Sequence, residues 1–103
     1  MNIDHNKEIE SPKLRADILE PILTSCIKGA SIRGILYKNQ KLASLNINII
    51  KKYLFFLIEF GLISYSGQKQ IFVIEERGLD LLNIIEEEKV NEKTDMKNII
   101  ITF

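Results

Sequence analysis

Asn48, Lys51 and Lys52 lie within the stretch NINIIKKY, residues 46–53, and their types suit one chemistry. An asparagine amide can pair bidentately with the edge of adenine, and lysines neutralise phosphates. At helical spacing the three residues fall away from Ile47, Ile50 and Leu54. The same residues would also suit an ordinary solvated helix face, so spacing alone leaves both readings open. Other polar groups lie within reach along the chain. Arg33, Lys38 and Lys41 precede the stretch, Asn46 opens it, and Gln68 and Lys69 follow in the polar cluster GQKQ at 67–70. Together they make an electrostatic footprint for an anionic partner.

The charge balance sharpens this. Fourteen bases match fourteen acids over the chain, for a net charge of 0. Between residues 28 and 69, however, seven bases meet the single acid Glu59, a net of +6. The flanks are acidic, with three bases against five acids before residue 28 and four against eight after residue 69. A basic middle between acidic ends points to one face specialised for an anion.

Catalysis finds no support. His5 is the only histidine and lies in the polar stretch MNIDHNKEIE, read as a flexible N-terminus over 1–10. Cys26, the only cysteine, falls on an apolar helix side and reads as a small core residue. With one cysteine no disulfide forms within the chain, which suggests a reducing compartment. No Cys/His set has zinc spacing, and no glycine-rich phosphate loop is present. Glu86-Glu87-Glu88 is most simply a solvated helix end. No enzyme activity, metal, cofactor or small-molecule ligand is expected. No apolar run approaches the roughly 20 residues of a membrane span, so the expectation is a soluble, cytoplasmic protein.

The elements that must position these residues follow from pattern and punctuation. With 103 residues, 46% of them hydrophobic, the chain suits one small domain. Ser11-Pro12 reads as the cap and first position of a helix carrying Leu14, Ile18, Leu19, Ile22, Leu23, Cys26 and Ile27, and ending at Gly29. Pro21 either kinks it or starts a second segment, and one kinked helix is preferred. Ser31 caps a short second helix with Ile32, Ile35 and Leu36 inward. A polar turn with room for a helical bend spans 38–46. Asn46 caps a third helix over 47–60, with Ile47, Ile50, Leu54, Leu57 and Ile58 as its core stripe and Gly61 as its stop. A hairpin follows, with strands at 62–66 and 70–74 around the turn at 67–69. A fourth helix spans about 76–88, with Leu79, Leu82 and Ile85 in line.

Three helices, a β-hairpin and a helix make an α+β, mostly helical, winged helix-turn-helix order over 11–88. In that order the third helix reads and the hairpin is the wing. The segments ADIL at 16–19, ILYKN at 35–39, YLFFLIEFGLI at 53–63 and RGLDLL at 77–82 carry a further likeness. Through them the chain resembles the small archaeal winged-helix regulators of the ArnR-like kind, over about residues 14–86. The resemblance implies binding to double-stranded DNA, a role in transcription, and dimerisation through the last helix. Two departures stand out. The 38–46 turn is several residues longer than usual, and Glu75 replaces the Ser or Thr expected before the final helix.

Apolar surplus supports the dimer expectation. Leu79, Leu82 and Ile85 of the last helix, with Ile99, Ile100, Ile101 and Phe103 of the 89–103 tail, need cover that a second copy could supply. Phe55 and Phe60 are also in surplus. Their cover could be the first helix, a partner subunit or the tail. Two readings of function therefore stand. One is a DNA-binding transcriptional regulator. The other is a winged-helix module for protein–protein interaction, which the exposed rings and the zero net charge favour.

Overall fold

The computed structural model describes residues 12–92 and 99–103. The N-terminus expected to be flexible, with His5, lies outside them, as do Ser11 and residues 93–98.

The described chain opens with a strand where the sequence suggests a helix. β1 (Lys13–Arg15) pairs antiparallel with β4 (Ile100–Thr102), placing Leu14 opposite Ile101 and Arg15 opposite Ile100. The first helix, α1 (Ala16–Ser25), therefore starts four residues later than Pro12. Pro12 is locally suited to a first helical turn. Pairing with the apolar tail instead buries Leu14, and tertiary contact overrides local propensity. The tail also satisfies one orphan donor of the helix start, because Ala16 N–H donates to Ile99 O at 2.9 Å.

α1 runs through Pro21 as one segment and buries Ile18, Leu19, Ile22 and Leu23, with Cys26 just beyond its end. Gly29 then turns the chain with φ +87, where a side chain would be strained and a Cβ would press on Ile71 Cδ1. Ala30 exchanges two backbone hydrogen bonds with Phe72, at 3.0 and 2.7 Å, which ties this connection to the hairpin.

Capping follows the sequence. Ser31 Oγ accepts the Gly34 N–H at 3.0 Å and opens α2 (Ile32–Lys38). The long turn contains one short helix, α3 (Gln40–Ala43), which absorbs the extra residues. Asn46 Oδ1 accepts the Asn48 N–H at 2.8 Å and opens α4 (Ile47–Glu59). After Gly61, φ +74, the hairpin forms from β2 (Ile63–Ser66) and β3 (Ile71–Ile74), with Ile63 opposite Ile74. Its turn takes in Gln70, which adopts φ 56, so the second strand begins one residue later than expected.

α5 (Glu76–Glu92) closes the domain. Its Gly78 lies so close to the hairpin that an added Cβ would fall on the Leu62 carbonyl oxygen. That carbonyl also accepts the Glu75 N–H at 2.9 Å, which anchors the helix start without a Ser or Thr cap.

One core joins these elements. Leu19, Ile22, Leu23, Ile35, Leu42, Ile50, Leu57, Ile63 and Ile85 are fully buried. On α4 the buried set is Ile50, Tyr53, Leu54 and Leu57, which corrects the expected stripe. Ile47 and Ile58 stay 44% and 40% exposed, because they sit at the edge of the buried arc. Tyr53 joins the core because its hydroxyl, the polar end, accepts the Arg15 N–H at 3.0 Å.

Candidate nucleic-acid interface

The arc that α4 buries decides what it shows. With Ile50, Tyr53, Leu54 and Leu57 held inward, Asn48, Lys51, Lys52, Phe55 and Glu59 are exposed. The two lysines diverge. Lys51 lines a hollow with Ile32, Leu54, Phe55, Ile58 and Phe72, on the side of α2 and the hairpin. Lys52 lines another with Lys13, Leu14, Ile49, Tyr53 and Phe56, on the side of β1. The helix crest between them carries Asn48 and, two turns on, Phe55, whose ring is 59% exposed.

Arg33 belongs to the same surface as Lys51. It is exposed on α2 and lines a hollow with Ser31, Ile32, Tyr65, Gln70 and Phe72. That hollow shares Ile32 and Phe72 with the Lys51 hollow, so the two are continuous. A single face thus runs from the wing through the start of α2 to the crest of α4. At the wing tip Gln68 and Lys69 are exposed, and the Lys69 N–H donates to Ser66 Oγ at 3.3 Å. Asn46 is exposed too, with Oδ1 committed to its capping bond.

Lys38 and Lys41 are placed elsewhere. Lys41 Nζ stands 3.3 Å from Asp17 Oδ2, a carboxylate whose side chain is 1% exposed. Arg15 grips the same carboxylate, with Nε 2.9 Å from Oδ1. Burial pushes the Asp17 carboxyl up, but the hydrogen bonds from Arg15 and Lys41 outweigh it and hold the group below its ordinary value. Lys38 lines a hollow with Asp17, Glu20 and Lys41, and a second with Glu20, Lys28 and Glu86. The basic middle of the chain is therefore divided. Arg33, Lys51 and Lys69 lie toward α4 and the wing, while Lys38 and Lys41 lie against the acids of α1.

Asp17 carries a structural role that sequence reading missed. The signal was an acid flanked by Ala16 and Ile18 in an otherwise apolar helix start, two residues after an arginine. Tyr65, the wing's exposed ring, was also missed. It alternates out of β2 and packs on Phe72 with ring centroids 4.8 Å apart.

The residues expected at a dimer contact are mostly engaged within the chain. Leu82 and Ile85 are in its own core, while Leu79 is 40% exposed. Ile99, Ile101 and Phe103 pack against that core, and the Phe103 ring stacks on Phe60 at 5.0 Å. Of the three covers considered for Phe60, the tail is the one used. Ile100 is exposed. On α5 the outward apolar residues are Leu79, Ile84 and Val90.

Burial pushes the Cys26 thiol up to about 11, so it stays protonated at neutral pH and is no nucleophile. Among the described residues no group of three or more His, Cys, Asp or Glu side chains could hold a metal ion. Among them, too, no helix is long and apolar enough to cross a membrane.

Comparison with known proteins adds one finding. A family model described as winged helix-turn-helix matches residues 13–93, from β1 through α5. No curated protein matches the chain.

Proposed function

The chain belongs to the winged helix-turn-helix family, and on that premise we propose that it is a sequence-specific regulator of transcription that binds double-stranded DNA. α4 enters the major groove, and the β2–β3 hairpin lies on the backbone or in the minor groove beside it. One observation carries this reading. Arg33, Lys51 and the wing border a continuous exposed face, with Asn48 on the neighbouring crest. Lys51, Lys52, Arg33 and Lys69 meet phosphates, and Asn48 meets base edges. Lys38 and Lys41 contribute less, because acids of α1 already oppose them.

The finer kinship, with small archaeal regulators of the ArnR-like kind, forms part of the same proposal. ILYKN at 35–39 and RGLDLL at 77–82 support it. Placement in the cytoplasm, alongside the DNA, is part of the proposal too. Binding as a homodimer fits two half-sites one or more helical turns apart. Leu79 and Val90, outward on α5, support a dimer through that helix.

The test is fluorescence anisotropy on a mixed duplex pool at low and moderate salt, for the wild type and Lys51→Glu/Lys52→Glu. Binding falls steeply with salt in the wild type as counterions are released. It collapses in the double variant, with the fold intact by circular dichroism. Salt-sensitive binding that survives the change moves the interface off α4. Absence of binding at low salt sinks the DNA reading. The reading as a protein-interaction module would then take over, since the exposed Phe55 favours it.

A further inference from the structure

We infer that the target is rich in A·T pairs, read by Asn48 and Phe55 on the crest of α4. The inference rests on the DNA-binding reading above and adds which base pairs the helix accepts. It follows from which side chains reach the groove floor and which are drawn to its walls. Lys51 and Lys52 line hollows on opposite flanks of α4. A helix seated in a groove turns its flanks toward the two phosphate walls, so these ammonium groups meet backbone. The crest turned toward the bases carries Asn48 and Phe55, the latter also edging the Lys51 hollow, with Glu59 one turn beyond.

Each crest group has a base preference. The amide of Asn48 matches the N6 and N7 edge of adenine, and an apolar ring matches the C5-methyl of thymine. The common readers of guanine are arginine and lysine; α4 has no arginine, and its two lysines stand on the flanks rather than on the crest. The arginine on this face, Arg33, sits on α2 beside the wing. Glu59 is an acceptor that would suit cytosine, but it sits in the last turn of α4, where a helix leaves the groove floor. Seven residues separate Asn48 from Phe55. At a rise of about 1.5 Å per residue that is about 10 Å, or roughly three base-pair steps.

The same assignment accounts for Phe55. Its ring is the most exposed hydrophobic side chain on α4. It tilts against Phe56 with centroids 5.9 Å apart. Lysines on both flanks of the crest give the face charge suited to a polyanion. A thymine methyl there is apolar cover with phosphates on either side.

The test compares three duplexes of equal length by anisotropy, using the full chain. One is built of A·T steps and one of G·C steps, and the third is the A·T duplex with uracil in place of thymine. The expected result is binding to A·T tighter than to G·C by about tenfold or more, as one good base contact gives. Uracil weakens the wild type several-fold and leaves Phe55→Ala unchanged, because the methyl and the ring act as one contact. Asn48→Ala narrows the A·T preference while the salt slope stays as in the wild type. Both residues are exposed, so both variants should fold, which circular dichroism checks. Equal binding to A·T and G·C duplexes overturns the inference and leaves the DNA reading standing. Absence of binding to all three overturns both. Uracil sensitivity that persists in Phe55→Ala removes Phe55 from the assignment.

Discussion

Asp17 Oδ2 lies 3.3 Å from Lys41 Nζ, so a buried carboxylate at the start of α1 holds the short helix α3 that precedes α4. The extra residues of the 38–46 turn are thus fastened rather than loose. Arg15 completes the grip from β1. One carboxylate thus links β1, the start of α1 and α3.

Asp17→Asn tests that clamp. The amide keeps the shape and loses the charge-assisted bonds, so stability at neutral pH should fall by about 1.5–3 kcal/mol. The folded carboxyl titrates below its ordinary value of 3.8. Its contribution is therefore fully present above the unfolded value and is lost as pH falls through the folded one. Urea melts should show a wild-type advantage that is constant near neutrality and shrinks below about pH 4. An advantage that persists unchanged into acid would deny the charge its role.

Gly78→Ala should be more damaging than its size suggests. The added methyl would fall on the Leu62 carbonyl oxygen, which is backbone and already accepts the Glu75 N–H. Separating α5 from the hairpin should cost about 1–3 kcal/mol or more, visible as a drop in Tm of several degrees. A neutral Gly78→Ala would mean that α5 can lift from the hairpin at little cost.

These two residues show what could be read in the sequence. Local signals made the starts of α2 and α4 legible, but not the ends of α1, which begins at Ala16 rather than Pro12 and stops at Ser25, short of Gly29. Ser31 and Asn46 cap as their side chains dictate, and Gly29 and Gly61 turn the chain in left-handed backbone. The succession of α1, α2, α4, hairpin and α5, with α3 inside the turn, was legible as well, whereas the strands β1 and β4 were not. Gly78 was not, since RGLDLL gives no hint that its glycine faces a carbonyl sixteen residues earlier. Leu14 reads as helical by spacing, yet it lies in β1 because of a partner about ninety residues away. The site divides in the same way. The exposure of Asn48, Lys51 and Lys52 follows from helical period alone. The pairing of Lys41 with Asp17 depends on how α1 and α3 meet.

Glu86 gives a pH dependence of opposite sign. A hydrogen bond shared with Glu20, then burial and the repulsion between the two acids, raises the Glu86 carboxyl above its ordinary value, and Lys89 only partly offsets this. Lys89 Nζ lies 3.4 Å from Glu20 Oε2. A raised acid contributes stability below its unfolded value and loses it as pH rises through the folded one. Glu86→Gln keeps a hydrogen bond to Glu20 without the second charge. It should be slightly more stable than the wild type at pH 7, by about 0.5 kcal/mol or less for a pair that water still screens. The gain should vanish near pH 4. A loss of stability at pH 7 would show that Glu86 is held by an attraction stronger than its repulsion from Glu20.

Phe103→Ala decides which chain the tail covers. In the structure the ring stacks on Phe60 of the same chain, and β4 pairs with β1 beside it. Losing a half-buried ring should cost about 1–2 kcal/mol, roughly half the value for full burial, part of it from the ring pair itself. Because the contact is intramolecular, the loss in Tm should be the same at low and high protein concentration. A tail that reached over to a second copy would behave differently, since mass action makes the Tm of an assembly rise with concentration. Melts over a wide concentration range, with light scattering on the same samples, separate these cases. If the wild type melts higher when concentrated and Phe103→Ala abolishes that dependence, the tail serves the dimer. If the dependence survives Phe103→Ala and disappears in Leu79→Glu/Val90→Glu, the dimer is built on the outward face of α5 and the tail serves only its own chain.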